Sequence, residues 1–151
     1  MVVKKLTGHT EWVFSLVWLG DLGVIASGSA DKEIRMWDTV TTRECQTSLK
    51  GHTDWVFSLT WIEELHLIAS GSQDNTVRLW DTTGSLECQR VMAGHTDNVW
   101  SLAWLKAVKL LASPPQAFKN TPSPCPLAIP HGGVGSVRRA VLVTRPSGSG
   151  T

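Results

Sequence analysis

Histidine, serine and aspartate recur in this 151-residue chain in sets that could perform hydrolysis. His9, Ser27 and Asp31 form one set, and His52, Ser70 and Asp74 form a second, 43 residues later. In a Ser-His-Asp hydrolase the imidazole takes the serine proton while the carboxylate orients and balances the ring. That chemistry also needs an accessible serine, an oxyanion hole and a single copy of the set. Here the set is duplicated, and each copy carries a tryptophan six residues after its aspartate, at Trp37 and Trp80. Repetition favours a structural role, so no catalytic residue and no enzyme activity is expected. In a third copy His95 and Ser113 are present, but Ala117 and Ser123 stand where Asp and Trp would fall.

The elements that hold these sets follow the same period. Gly-His recurs at Gly8-His9, Gly51-His52 and Gly94-His95, and Trp-Asp closes two copies at Trp37-Asp38 and Trp80-Asp81. A period of this size marks an array of small units, none able to bury its own apolar faces alone. Short apolar runs alternate with turn residues, which is the pattern of strands. The first copy predicts strands at Trp12–Trp18, Val24–Ser29, Glu33–Trp37 and Glu44–Leu49. The second predicts them at Trp55–Ile62, Leu67–Ser72, Thr76–Trp80 and Leu86–Met92. Asp31-Lys32 and Asp74-Asn75 suit tight turns with left-handed backbone, Asp tolerating that region. Four antiparallel strands per period make one sheet, and sheets apolar on both faces must stack, radially in a β-propeller. A Leu-rich or helical repeat is the alternative for this period, disfavoured because no window keeps helical apolar spacing for ten residues.

Gly-His, Ala-Ser-Gly-Ser-x-Asp and Ile/Val-Arg-x-Trp-Asp at these spacings resemble the WD-repeat family of β-propellers. The resemblance covers about residues 1 to 113, with two full repeats and a third that breaks off. It implies an all-β fold of four-stranded antiparallel blades in an incomplete propeller. It also implies a structural tetrad of Trp, Ser, His and Asp bonded in series. Indole N–H only donates and carboxylate only accepts, so Ser and His are the natural relays. In that family the repeat is offset from the blade, so Val2–Leu6 would be the outer strand of a preceding blade. Members generally act as protein–protein interaction scaffolds. The face implied for partners carries Trp12, Phe14 and Ala30, then Trp55, Phe57 and Gln73, then Asn98 and Trp100. Large aromatics there would anchor an interface, or would pack between blades.

Composition narrows the setting. All eight Trp lie between Trp12 and Trp104, whereas residues 114–151 have no Trp, no acidic residue and four basic groups. The formal net charge is +1, so the body sums to −3, which argues against nucleic acid as the main partner. From Ser113 onward the repeat gives way to Pro114-Pro115 and a Pro/Gly-rich stretch that reads as a disordered tail. The abrupt change suggests an aberrant C-terminus on a truncated isoform with little function of its own, or an interfering one. Thr121-Pro122 and Ser123-Pro124 are candidate phosphorylation dipeptides, and Gly132-Gly133-Val134-Gly135 reads as a linker. Cys45 and Cys88 occupy one place in two repeats and read as small core residues. No ligand spacing for zinc surrounds them, and neither a metal nor a cofactor is expected. Unpaired cysteines, no signal-peptide core and no transmembrane run place the chain in cytosol or nucleus, off the membrane. The open ends of so short an array would expose apolar blade faces and strand edges, through which copies could self-associate.

Overall fold

The computed structural model describes residues 5–40 and 45–113. The chain forms two four-stranded antiparallel sheets and a strand pair. In chain order the first sheet holds β1 (Val13–Leu19), β2 (Val24–Ser29), β3 (Ile34–Asp38) and β4 (Cys45–Leu49). The second holds β5 (Val56–Ile62), β6 (Leu67–Ser72), β7 (Thr76–Asp81) and β8 (Cys88–Ala93). The pair is β9 (Ala103–Leu105) with β10 (Leu110–Ala112). Strands neighbour one another in sequence order, each joined to the next by a short connection. The predicted strands match these within two residues. The tail, the two phosphorylation dipeptides and the glycine linker lie outside the described residues. So does Val2–Leu6, apart from Lys5 and Leu6, which are not in a strand.

Three turns differ from a simple strand break. Gly20–Leu22, Glu63–Leu65 and Lys106–Val108 each make one turn of 3-10 helix between the first two strands of a repeat. Each closes on a left-handed residue, Gly23, His66 and Lys109 in turn. Only the first is glycine, which takes that conformation without a Cβ penalty. The expectation for the β2–β3 turn is corrected by one residue. The left-handed position there is Lys32 (φ 71°), not Asp31, whereas in the second copy Asn75 (φ 64°) belongs to the Asp74-Asn75 pair expected to turn. Asp31 and Asp74 instead turn their carboxylates inward, where each Oδ1 accepts the backbone N–H two residues on.

The sheets bury their faces against each other, as neither could alone. Val56 and Leu59 of β5 join Val24, Ala26, Ile34, Met36 and Leu49 of the first sheet in one apolar cluster. Val99 and Leu102 join Ala69, Val77, Leu79 and Met92 of the second sheet in the same way. Glycine makes the close approach. A β-carbon at Gly28 would stand 2.8 Å from Val56 Cγ1, and one at Gly71 would stand 2.7 Å from Val99 Cγ1. The seams are pinned by Ser15 Oγ accepting Leu59 N–H (3.1 Å) and Ser58 Oγ accepting Leu102 N–H (3.0 Å). Cys88 is half-buried against the first cluster, whereas the side chain of Cys45 lies outside the described residues.

Candidate functional site

The two histidine sets converge. In the first repeat Trp37 Nε1–H donates to Ser27 Oγ (2.7 Å), which lies 2.6 Å from His9 Nε2. His9 Nδ1 lies 2.7 Å from Asp31 Oδ2. The second repeat repeats the chain from Trp80 through Ser70 (2.8 Å) and His52 (2.6 Å) to Asp74 (2.7 Å). The donor inventory orients it. Indole gives its proton to serine, serine gives its own to Nε2, and Nδ1–H donates to the carboxylate. The backbone brings the four groups together. Ser sits on β2 or β6 and Trp on the neighbouring β3 or β7, two register positions along, while His precedes the sheet and Asp begins the following turn.

The serine–histidine–aspartate geometry resembles that of a hydrolase, but its accessibility does not. Ser27 is 2% and Ser70 0% exposed, each roofed by its tryptophan. The hydroxyl also accepts the indole N–H, and at that burial no open path leads a substrate carbonyl to it. In the third repeat His95 Nε2 reaches Ser113 Oγ at 2.8 Å, the half of the network that the sequence retains there.

Burial sets the charge state. Desolvation drives the His52 imidazole below its ordinary value, although Asp74 pulls the other way. Burial likewise lowers His95. For Asp74, burial favours the neutral acid, but the hydrogen bonds from Thr76, His52 and the Thr53 N–H overcome it and hold the carboxyl at about 2. All three shifts are depressions, so their sign for stability is the same. The unfolded chain binds protons that the folded chain refuses, and stability falls as pH falls. The histidine contribution is full above the ordinary value of 6.5 and fades below it, and the Asp74 contribution fades between 3.8 and about 2. The melting temperature is therefore expected to drop between pH 7.5 and pH 5.5. Differential scanning fluorimetry checks this, and a flat profile would contradict buried neutral imidazoles.

The other predicted residues form an aromatic strip across three repeats. Phe14 lies 5.7 Å from Trp55 and 5.2 Å from Phe57 between ring centroids. Trp55 meets Phe57 edge-on at 6.1 Å, and Phe57 stacks on Trp100 at 4.0 Å. Trp12 is 74% exposed, and Phe14, Trp55 and Trp100 are also exposed. Two members of the expected partner set are not on the surface. Ala30 and Phe57 are buried, Phe57 because the neighbouring rings close over it. Gln73 and Asn98 are half-buried. Sequence periodicity missed the feature that aims this strip. A β-bulge interrupts the register between Val13 and Ser15, and again between Val56 and Ser58, leaving Phe14 and Phe57 as the extra residues. Such insertions re-aim a side chain.

A cavity of about 290 Å³ lies at the seam of the two sheets, lined by Val24, Met36, Thr47, Thr82 and their neighbours. None of its lining residues is titratable. Among the described residues no group of three or more His, Cys, Asp or Glu is placed to hold a metal ion, and no helix is long and apolar enough to cross a membrane.

The model of the family described as WD domain, G-beta repeat, matches residues 1–38, 43–81 and 86–113. No curated protein matches the sequence. Such repeats generally mediate protein–protein interaction and are typically non-catalytic. Two four-stranded blades, a half-built third and three matched repeats over more than half its length place this chain in the WD-repeat family of β-propellers.

Proposed function

We propose that the chain is a non-catalytic scaffold module that binds a protein partner through Trp12, Phe14, Trp55 and Trp100. The observation that carries this reading is the strip of contacting rings Phe14, Trp55, Phe57 and Trp100 across three repeats, all exposed but Phe57, together with the bare Trp12. Aromatic rings bury much area while losing little rotamer freedom, so they anchor interfaces well. Sealing of Ser27 and Ser70 argues for the tetrads as braces that hold the strip in place. The free Cys88 thiol, which donates to its own strand at the Arg90 carbonyl (3.3 Å), fits a reducing compartment, cytosol or nucleus. The −3 charge of the body, against a tail of +4, is the reason to favour a protein over nucleic acid.

The test is affinity capture with the wild-type chain beside Trp12→Ser and Trp100→Ser. Trp12 is 74% exposed, so its variant is expected to keep its melting temperature within about 4 °C, the equivalent of roughly 1 kcal/mol, whereas Trp100→Ser also uncovers Phe57 and is expected to lose somewhat more. Each is expected to lose the same captured proteins. Capture that survives both substitutions would move the binding surface elsewhere. A large fall in stability would reassign the rings to the core. The change of composition after Ser113 supports a second reading, interference with a longer protein of the same repeat type. It predicts that this chain displaces that protein from its partners in a competition assay.

A further inference from the structure

Arg35 and Arg78 occupy one place in successive repeats, two residues before the tryptophan of each tetrad. The fold holds both in the same pose. A β-carbon at Gly8 would stand 2.5 Å from Arg35 Nη1 and 3.1 Å from Trp37 Cη2, and one at Gly51 would stand 2.7 Å from Arg78 Nη1 and 3.3 Å from Trp80 Cη2. Each guanidinium therefore sits between the glycine before its tetrad histidine and the tetrad tryptophan. In the first blade an acid covers it. Glu33 Oε2 accepts the Arg35 Nη2–H (3.1 Å) and the Ser48 hydroxyl (2.8 Å), and Lys50 Nζ lies 2.9 Å from Oε1. The second blade keeps the arginine and replaces all its company. Thr76, Val91 and Ala93 stand in the places of Glu33, Ser48 and Lys50. Thr76 donates its hydroxyl to Asp74 Oδ1 (2.6 Å). The Arg78 Nε is buried without a partner, and the guanidinium has no hydrogen bond or ion pair among the described residues.

We propose that Arg78 is a docking site for a carboxylate side chain of a protein partner, seated as Glu33 is seated on Arg35. Arginine is always protonated, and its planar fork matches a carboxylate. The pose is already fixed by Gly51 and Trp80, so little freedom is lost when the acid arrives. The neighbours select the kind of acid. Ala93 replaces Lys50, and Arg90 pairs with Leu79 and so lies on the other face of the sheet, which leaves one cation at this spot. One cation matches the single charge of a carboxylate better than the nearly double charge of a phosphate group. Val91, the cross-strand neighbour of Arg78, is 50% exposed and offers the stem of that acid an apolar contact. Arg78 shares its face with Trp80, which packs toward the first blade, so this vacancy does not lie at an end of the array. None of these residues belongs to the aromatic strip, so the two binding readings stand or fall separately.

Arginine Nε–H resonances of the isotopically labelled full chain, titrated with a capped hexaglutamate peptide, test the proposal. The Arg78 signal, assigned by its loss in Arg78→Lys, is expected to shift and saturate. The Arg35 signal is expected to stay, because Glu33 already holds that guanidinium. Thr76→Glu supplies the carboxylate from within the chain, at a position where the first blade already accommodates one, and is expected to weaken the peptide's effect on Arg78 at least tenfold. Glu33→Thr is expected to make Arg35 respond in its turn. An Arg78 signal that stays still while other arginines move overturns the proposal. So does an equal response from Arg35 in the wild-type chain, and so does a response indifferent to Thr76→Glu. Inorganic phosphate that shifts Arg78 as strongly as the peptide also overturns it, since the site would then be one for phosphate.

Discussion

Replacing Trp80 with alanine is expected to destabilise the second blade by about 3–5 kcal/mol, the usual range for deleting a buried indole. Trp80 is the largest fully buried side chain among the described residues, and it belongs to the apolar cluster that joins the two full sheets. The lost area is half of the argument. Its Nε1–H also anchors the series through Ser70 and His52 to Asp74. Without the indole, Ser70 keeps its donor role to His52 but loses the donor that fills its own lone pair, at 0% exposure where no water reaches. An unsatisfied buried partner costs about 1–3 kcal/mol. Domains hold only about 5–15 kcal/mol in reserve, so Trp80→Ala should remove cooperative unfolding near physiological temperature. Trp80→Phe separates the two contributions. It keeps most of the apolar area and discards the N–H, and its loss should fall in the range of about 1–3 kcal/mol. Urea unfolding followed by circular dichroism gives both numbers. A Trp80→Ala loss below about 1 kcal/mol would show that the network does not brace the blade.

Much of this arrangement was legible in the chain because the repeat supplies its own control. A single Ser, His and Asp could mean catalysis, whereas the same set with a Trp six residues on, occurring twice, points to architecture. The strands were equally legible, since Val-Phe-Ser-Leu-Val-Trp-Leu and Val-Phe-Ser-Leu-Thr-Trp-Ile can be read against each other. What stayed hidden depended on backbone detail that residue types do not encode. The bulges that displace Phe14 and Phe57 follow from how β1 and β5 pair with their neighbours, not from alternation within either strand. The left-handed residue of the tight turn is Lys32, a type that gives no warning, while the more suggestive Asp31 is engaged by His9. Nor does an aromatic residue declare whether its ring will cover or be covered. Phe57 is buried because Trp100, 43 residues away, stacks on it, and Trp12 is bare because no described ring does the same.

Gly28→Val is expected to part the two full blades, with a loss of about 3 kcal/mol, the upper end of the usual overpacking range. The added β-carbon would stand 2.8 Å from Val56 Cγ1, 3.3 Å from Val56 Cβ and 3.2 Å from the Val56 carbonyl oxygen. A side-chain tip could rotate away, but a main-chain oxygen cannot without moving β5. That strand is held on both sides, by β6 and by Leu59 N–H on Ser15 Oγ. Relief therefore requires the seam to open, and Val56 and Leu59 would leave the cluster they share with Ile34 and Met36. Gly71→Val makes the tighter clash, 2.7 Å from Val99 Cγ1 and 2.9 Å from its carbonyl oxygen, yet it should do less damage to the whole. Behind it lies a pair of three-residue strands and not a full blade. Hydrogen exchange distinguishes the two variants. Gly28→Val should raise exchange throughout β5 and β6, and Gly71→Val only in β9 and β10, with the first blade still protected. Equal exchange in all three segments would mean that the blades do not behave as separable units. The third repeat already carries a natural substitution at this position, Pro114, whose ring adds a β-carbon and removes the N–H.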